Sequence, residues 1–540
     1  DTYWMSEPLR FATSHSHNLF AEGGDDRMRY GIGFSYNKTQ GVMKGSDRDV
    51  LNGNVRLMYR YKTVAFTNYL NLDYTMSSRE NVSFSEFSRA NPYHRKLNEY
   101  GEPDQVMETY TDSDVNSSSY LKTLNVYNPL YDMILNSSNE SRSFGFRNNF
   151  EIDWRVYDEL RVKGRFSISK SSAKTEVFKS PKASDFVGAE STEKGTYTET
   201  NEENLSYDGD FSLTYGKLFN EKHMVNAVGG IRLASNQAKS SGFVSRGFID
   251  DRYSNPSFST GYPSGGKPNY SNTEKRSASY YLNAGYAYDN RYLLTANFRN
   301  DASDIFAPGK RSAFFPSVSI GWNIANEKFF KVEKINDLKL RFGIGEIGNN
   351  SIDKNWWRQE YKLQTNGTWL AQKTPNKDVT WEKTRITNIG IDLGAWNNAF
   401  TATIDLYNKK TRDALIEQKL PSTIGVGSNT YKLNKGEISN KGIELALSYR
   451  GSINHFNYLV SGNISYNKNK VLNIGNASYL SGGNFNRTLV NGPVAAFWGY
   501  VADGLYQTQA EIDALNAISM EKWGVAYDAG NIGPGDIKFK

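Results

Sequence analysis

Trp381-Glu-Lys-Thr-Arg-Ile-Thr-Asn-Ile-Gly-Ile-Asp-Leu393 opens a stretch that closes at Gly462-Asn-Ile-Ser-Tyr-Asn-Lys-Asn-Lys470, and the rest of the chain is organised around it. Within it, three runs alternate apolar and polar side chains with a period of two. Ile389, Ile391 and Leu393 share one face, opposite Asn388, Gly390 and Asp392. After the turn Ala395-Trp396-Asn397-Asn398, Phe400, Ala402, Ile404 and Leu406 alternate with Thr401, Thr403, Asp405 and Tyr407. Ile443, Leu445, Leu447 and Tyr449 then alternate with Glu444, Ala446, Ser448 and Arg450. Successive side chains on a strand point to opposite faces, so each run is a strand with one apolar and one wet side. Soluble and membrane sheets share that property, and the connections between strands must separate them.

Working outward, Met28, Tyr30, Ile32, Phe34 and Tyr36 form the cleanest strand, entered by a tight turn at Gly23-Gly24-Asp25-Asp26-Arg27. Tyr61-Lys-Thr63, Tyr157-Asp-Glu159, Lys217 to Glu221, Asp289-Asn290 and Arg450 to His455 are further short joins. Between them stand long polar connections at about 77–141, 174–200, 239–273, 347–380 and 469–493, with another at Thr411 to Lys435. About 17 strands result, the last at Phe497-Trp-Gly-Tyr-Val501, and one weak helical segment at about Gln509 to Trp523. Short and long joins alternate. In an antiparallel up-and-down sheet, alternate connections emerge at opposite ends, which puts the tight turns at one rim and the long loops at the other. Outer-membrane barrels have that asymmetry. A propeller would need a repeat of roughly 40 to 50 residues, which the sequence lacks, and a sandwich of this strand number would split into several domains. The expected fold is all-β, an antiparallel up-and-down transmembrane β-barrel with its apolar face on membrane lipid. Trp154, Tyr215, Tyr288, Trp322 and Trp396, near strand ends, are then candidates for an interfacial aromatic girdle.

Composition bounds the alternatives. Hydrophobic residues make up 38% of the 540, and mean hydropathy is -0.63. No apolar run approaches the ~20 residues of a membrane helix, whereas barrel strands average out as hydrophilic. Aromatics reach 14%, a richness suited to membrane interfaces and to sugar- or peptide-binding surfaces. With no Cys, disulfide scaffolds and thiolate metal sites are excluded. The net charge of +6 forms no dense basic block, so nucleic-acid binding has no support. Arg161, Lys163 and Arg165 face Glu151 and Asp153 on the wet side. A wide, wet or plugged interior tolerates such mixed charge, whereas a small dry core would not.

At the level of longer motifs, the chain resembles the SusC-like (SusC/RagA) TonB-dependent outer-membrane transporters of Bacteroidetes. The matching stretches include Asp1-Thr-Tyr-Trp4, His17-Asn-Leu-Phe-Ala-Glu-Gly-Gly24, Phe315-Pro-Ser-Val-Ser-Ile-Gly-Trp322 and Asn326-Glu-Lys-Phe-Phe330. Leu338-Lys-Leu-Arg-Phe-Gly-Ile-Gly345, Trp381-Glu-Lys-Thr384, Asn388-Ile-Gly-Ile-Asp392 and Asn440-Lys-Gly-Ile-Glu444 follow in order. Asn467-Lys-Asn-Lys470, Phe497-Trp-Gly-Tyr-Val-Ala-Asp-Gly504 and Pro534-Gly-Asp-Ile-Lys-Phe539 complete them. The resemblance implies a 22-stranded barrel in the Gram-negative outer membrane, an N-terminal plug, and a SusD-like surface lipoprotein as lid. It also implies TonB-driven import of oligosaccharides or oligopeptides, with dimers of the barrel–lipoprotein pair as a further expectation. On this reading 1–540 is one barrel domain without plug, TonB-contacting segment or closing strands. No covalent chemistry and no cofactor is implied. The rival readings are a passive porin or adhesin barrel and a soluble extracellular glycan-binding β protein.

Several local motifs have simpler accounts. Gly343-Ile-Gly345-Glu-Ile-Gly348 matches GxGxxG, but a dinucleotide site needs a helix after the last glycine, and Asn349-Asn-Ser-Ile-Asp reads as loop. His15 and His17 share a strand face with no carboxylate pair nearby, which is short of a metal site. Asp301 with Asp304, or Glu202 with Glu203, suits solvated charge better than a glycosidase pair. The strongest ligand-contact candidates are Trp356, Trp357, Tyr361 and Trp369, on a loop expected to face outward, where planar rings stack on sugars or peptide side chains.

Overall fold

A computed structural model describes residues 2–112, 122–352, 356–364, 367–426, 430–527 and 532–540. The chain forms two compact units, one of Asp1–Glu327 with Asn350–Thr380 and Gly425–Ser428, the other of Lys328–Asn349, Trp381–Ile424 and Asn429–Lys540. Eleven long strands build the first. They are β1 (Ser14–Gly24), β2 (Met28–Gln40), β3 (Asp47–Tyr61), β4 (Val64–Ser78), β5 (Ser138–Arg155) and β6 (Leu160–Lys179). β7 (Thr196–Phe219), β8 (His223–Arg246), β9 (Asn269–Tyr288), β10 (Tyr292–Ser303) and β11 (Ser312–Asn323) follow. The second unit contributes five: β12 (Ile335–Asn349), β13 (Glu382–Ala395), β14 (Phe400–Lys419), β15 (Thr430–Ile453) and β16 (Phe456–Ile474). Within each unit every strand pairs antiparallel with its predecessor. The up-and-down order is the one that alternating short and long joins predict.

The tight joins are two to four residues long, at 25–27, 62–63, 156–159, 220–222 and 289–291 in the first unit and at 396–399 and 454–455 in the second. Asp289 and Asn290 both take left-handed φ, +50° and +51°. That geometry matches the right-handed twist of the flanking strands, and Asp and Asn tolerate it best among non-glycine residues. The intervening joins in the first unit reach 59 residues, at 79–137.

Register places the apolar side chains in continuous rows. Leu340, Ile391, Ile404, Leu445 and Ile464 are mutual partners across all five strands of the second unit. On the opposite face, one residue along, Arg341 pairs with Asp392 at 2.7 Å and with Asp405 at 3.2 Å. In the first unit Val162, Leu213, Gly229, Leu282, Phe298 and Pro316 form a comparable row. The wet face carries Lys163–Glu151 at 2.9 Å and the Arg161–Asp153 pair, so four of the five mixed charges noted in the sequence are paired across neighbouring strands. The apolar face is largely uncovered: Phe211, Leu233, Tyr280 and Ile320 are 53–58% exposed. A water-facing sheet would bury such a band, and this one suits acyl chains.

The strands extend far beyond that band. β7, β8 and β15 each run 24 residues, roughly 80 Å at ~3.3 Å per residue, whereas about 9–11 residues cross a bilayer. In β7 the apolar alternation covers Tyr207 to Tyr215, next to the tight turn, and Thr196 to Asn204 is polar on both faces apart from the buried Tyr197. Three expectations are thereby corrected. The polar connections placed at about 174–200, 239–273 and Thr411 to Lys435 are shorter than expected, because strand runs into both ends of each. The loops between them are 180–195, 247–268 and, among the described residues, 420–426, with 427–429 outside the described residues. β5 likewise begins at Ser138. Among the described residues the count of about 17 becomes 16 long strands, because Phe497-Trp-Gly-Tyr-Val501 joins no long strand: Ala496–Phe497 pairs with Asn486–Arg487 in a small sheet instead. Its run has a glycine at its centre and little alternation, and a strand without a long partner does not extend. The helical segment is as expected: α3 (Gln509–Trp523) begins at Thr508, whose hydroxyl accepts from the Glu511 N–H at 3.3 Å, and ends at Gly524 with φ +70°.

Candidate substrate-capture surface

At the long-loop end of the first unit, residues 79–137 fold into α1 (Phe84–Arg89), a hairpin of Val106–Asp112 with Lys122–Tyr127, and α2 (Pro129–Ile134). Asn128 opens α2: its side chain accepts from the Leu130 N–H at 3.0 Å, and Pro129 occupies the first helical position, where no N–H is needed. Trp4, Phe87 and Leu130 form a buried cluster there. The Trp4 indole N–H donates to the Asn91 carbonyl at 2.9 Å, and Lys96 pairs with Glu7 at 2.8 Å, so the segment ahead of β1 clamps this loop. Trp4→Ala is expected to remove about 3–5 kcal/mol of packing. Limited proteolysis should then cut within 79–137 well before the barrel strands, with barrel abundance unchanged.

Two cavities open in this layer. One, of about 800 Å3, is bordered by His94, Glu108, Asp132 and Asp185, with His94 and Glu108 2.8 Å apart. Asp132 accepts from the Ser184 N–H and hydroxyl at 2.8 and 3.1 Å, and burial pushes its carboxyl above the ordinary range. The other, of about 670 Å3, is lined by Tyr131, Lys182, Phe186, Val187, Lys194 and Ile249 among others. Lys182 pairs with Asp251 at 2.8 Å, and the hydrogen bond from the Arg252 guanidinium holds neighbouring Asp250 well below the usual carboxylate range. These groups carry no mark in the sequence, because the stretch has no periodicity.

The four aromatic candidates lie in the 350–380 loop of the same unit, but in two different settings. A hairpin pairs Tyr361–Leu363 with Trp369–Ala371, and its register sets Leu363 opposite Trp369. Tyr361, Leu363 and Trp369 therefore share one face, with Tyr361 61% and Trp369 67% exposed. Trp356 and Trp357 are half-buried and capped by cations. The Lys373 ammonium lies 4.8 Å from the Trp356 ring and the Arg358 guanidinium 4.3 Å from the Trp357 ring. Lys373 is in turn held by Glu360 at 3.1 Å. The structure thus brings Tyr361 and Trp369 together as an open face and sets Trp356 and Trp357 apart from it, Trp356 being linked to the hairpin through Lys373 and Glu360.

All five girdle candidates fall at the tight-turn ends of their strands or, for Trp396, in the turn itself. Tyr288, Tyr292 and Trp322 are neighbours in one row, the two tyrosine rings stack at 6.3 Å, and Arg291 lies 5.6 and 5.8 Å from their centroids. The Trp322 indole donates to Glu327 at 3.0 Å and Arg291 pairs with Glu327 at 3.2 Å. Rings with an apolar body and a polar tip belong at a headgroup boundary.

The remaining motifs resolve locally. Gly343, Gly345 and Gly348 all lie within β12. The His15 and His17 rings are 5.1 Å apart on β1, and among the described residues no group of three or more potential ligands gathers around a metal position. Glu202 and Glu203 are successive strand residues and point to opposite faces. Asp301 pairs with Arg299 at 2.7 Å and Asp304 accepts from the Arg276 N–H at 2.9 Å.

A meander with one uncovered apolar band, an aromatic row at the tight turns and a packed layer of long loops defines the wall of an outer-membrane β-barrel. The chain belongs to the TonB dependent receptor-like, beta-barrel family, whose family model matches residues 65–530. It is 26% identical over 536 residues to TonB-dependent receptor P26 of Formosa agariphila, covering 95% of this chain and 52% of that protein. TonB-dependent receptor SusC of Bacteroides thetaiotaomicron is 33% identical over 213 residues, 37% of this chain and 21% of that protein. Among solved structures, the RagAB peptide importer in its closed-closed state matches with a TM-score of 0.79 at 20% identity, over 95% of this chain and 56% of that one. The chain spans about half the length of the first two curated relatives, at 52% and 51%.

Proposed function

We propose that this chain is barrel wall of an active outer-membrane importer, energised through TonB, that takes up oligosaccharides or oligopeptides together with a SusD-like surface lipoprotein. The observation that carries the reading is the polar strand wall that rises beyond the apolar band and ends in a layer of packed loops. A passive pore needs no such superstructure. A capture device does, because substrate must be held outside before a path through the lumen opens. The open aromatic face of Tyr361 and Trp369, with Trp356 linked to its hairpin through Lys373 and Glu360, is the proposed contact for substrate. The sixteen strands are part of a larger closed barrel, of 22 strands on the family resemblance, with a plug supplied by the longer protein.

The test is uptake in cells carrying the full-length protein, with labelled oligopeptides and oligosaccharides of defined length. Uptake of one class is expected to depend on this protein and to stop when the proton gradient is dissipated by an uncoupler. Uptake that continues at the same rate with the gradient gone would identify a passive porin.

A further inference from the structure

The apolar face of the first unit carries a groove of about 560 Å3 in the last apolar row before the polar wall begins. That row is Phe166, Gly209, Leu233, Ala278 and Ala302, partners in sequence across β6 to β10. The row above it holds Tyr207, Ser235 and Arg276. Phe166 and Leu233 wall the groove at 49% and 58% exposure, and Tyr207 closes its upper side at 41%. At Gly209 a Cβ would meet nothing within 4 Å, so the floor is open where a side chain would otherwise stand. Three charged residues line the groove: Arg276, Arg311 and Asp304. Asp304 turns its carboxylate to the Arg276 backbone N–H at 2.9 Å. Arg276 gives its Nε–H to Glu274 at 2.7 Å, and its side chain remains 67% exposed.

An apolar trench with guanidinium groups at its polar lip, at the level where the membrane-facing band ends, has the chemistry of a lipid seat. The end concerned is the long-loop end, which in outer-membrane barrels is the external one. We propose that the groove holds an acyl chain of a phosphorylated glycolipid of the outer leaflet, with the phosphate on Arg276 and Arg311. Arginine suits that role because its planar fork of donors matches phosphate oxygens. A bound lipid here would fill the trench between Phe166 and Ala302 and set the height at which the polar wall leaves the membrane.

The experiment uses the full-length protein, purified in detergent, stripped of lipid and titrated with monophosphoryl lipid A, with adducts counted by native mass spectrometry. Gly209→Phe fills the trench without a backbone clash and is expected to lower apparent affinity at least tenfold. Arg276→Gln is expected to lower it about fivefold. Gly164→Phe lies on the same face one row nearer the tight turns, where a Cβ also meets nothing within 4 Å, and should leave affinity unchanged. Heat-modifiable gel migration reports folding of each variant separately. Affinity unchanged in either Gly209→Phe or Arg276→Gln, or phosphatidylglycerol binding the unaltered protein as tightly as lipid A, overturns the proposal.

Discussion

Ile404→Arg is expected to reduce the amount of folded barrel in the outer membrane at least tenfold, whereas Thr403→Arg, one residue away, is expected to leave it near normal. Ile404 lies in the middle of the apolar segment of β14 and is flanked in its row by Ile391 and Leu445. A guanidinium there must enter hydrocarbon or distort the bilayer to reach water, at a cost of about 2–4 kcal/mol near the midplane. Folded barrels are stable by only about 5–15 kcal/mol, and assembly competes with proteolysis of unfolded chain, so such a loss registers in abundance. Thr403 points the other way, and its hydroxyl already donates to Asp392 at 3.2 Å. An arginine at that position meets carboxylates on the wet face. The measurement is heat-modifiable migration of immunoblotted outer-membrane fractions. Equal abundance of the two variants would mean that the apolar rows do not face lipid.

The second large effect is expected from Tyr361→Ala combined with Trp369→Ala, which should lower substrate uptake by about tenfold while barrel abundance stays constant. Their rings are the exposed ones on the hairpin face, at 61% and 67%. An aromatic stacking contact is worth about 0.5–1.5 kcal/mol, so the loss of two such contacts is consistent with a change of about tenfold. Trp356→Ala with Trp357→Ala should also lower uptake, by a smaller factor. Those rings hold Lys373 and Arg358, and Lys373 pairs with Glu360 next to Tyr361, so they act by keeping the hairpin in place. If uptake is unchanged in Tyr361→Ala/Trp369→Ala, substrate is captured elsewhere, and the loop cavities beside His94 and Lys182 become the alternative. Measuring initial rates with the same labelled oligomers used to establish the importer keeps the comparison direct.

The strands within the membrane were legible in the sequence because one of their faces meets lipid and the other water, which imposes a period of two. Phe400, Ala402, Ile404 and Leu406 announce β14 in this way, and the tight joins at Asp289-Asn290 and Trp396-Asn-Asn398 announce their own turns. The outer halves of β6 to β9, β14 and β15 gave no such sign. Their side chains are mostly polar on both faces, with isolated buried rings such as Phe178 and Tyr197, so stretches such as Thr196 to Asn204 lack alternation and look like loop although they pair residue by residue with their neighbours. Likewise, Phe497-Trp-Gly-Tyr-Val501 has strand-forming residues but no long partner, and only pairing makes a strand.

The same division holds for the candidate surface. The order of strands, the lipid-facing rows and the concentration of aromatics between 356 and 369 follow from side-chain chemistry read along the chain, since each depends on neighbours in sequence or on a solvent boundary. Which aromatic rings stand open, how Trp4 reaches the loop after β4, and where Gly209 comes to lie beside Leu233 depend on contacts between residues two dozen or more positions apart. Those contacts arise only once hydrogen-bonded register has aligned the strands, and tertiary structure alone decides them.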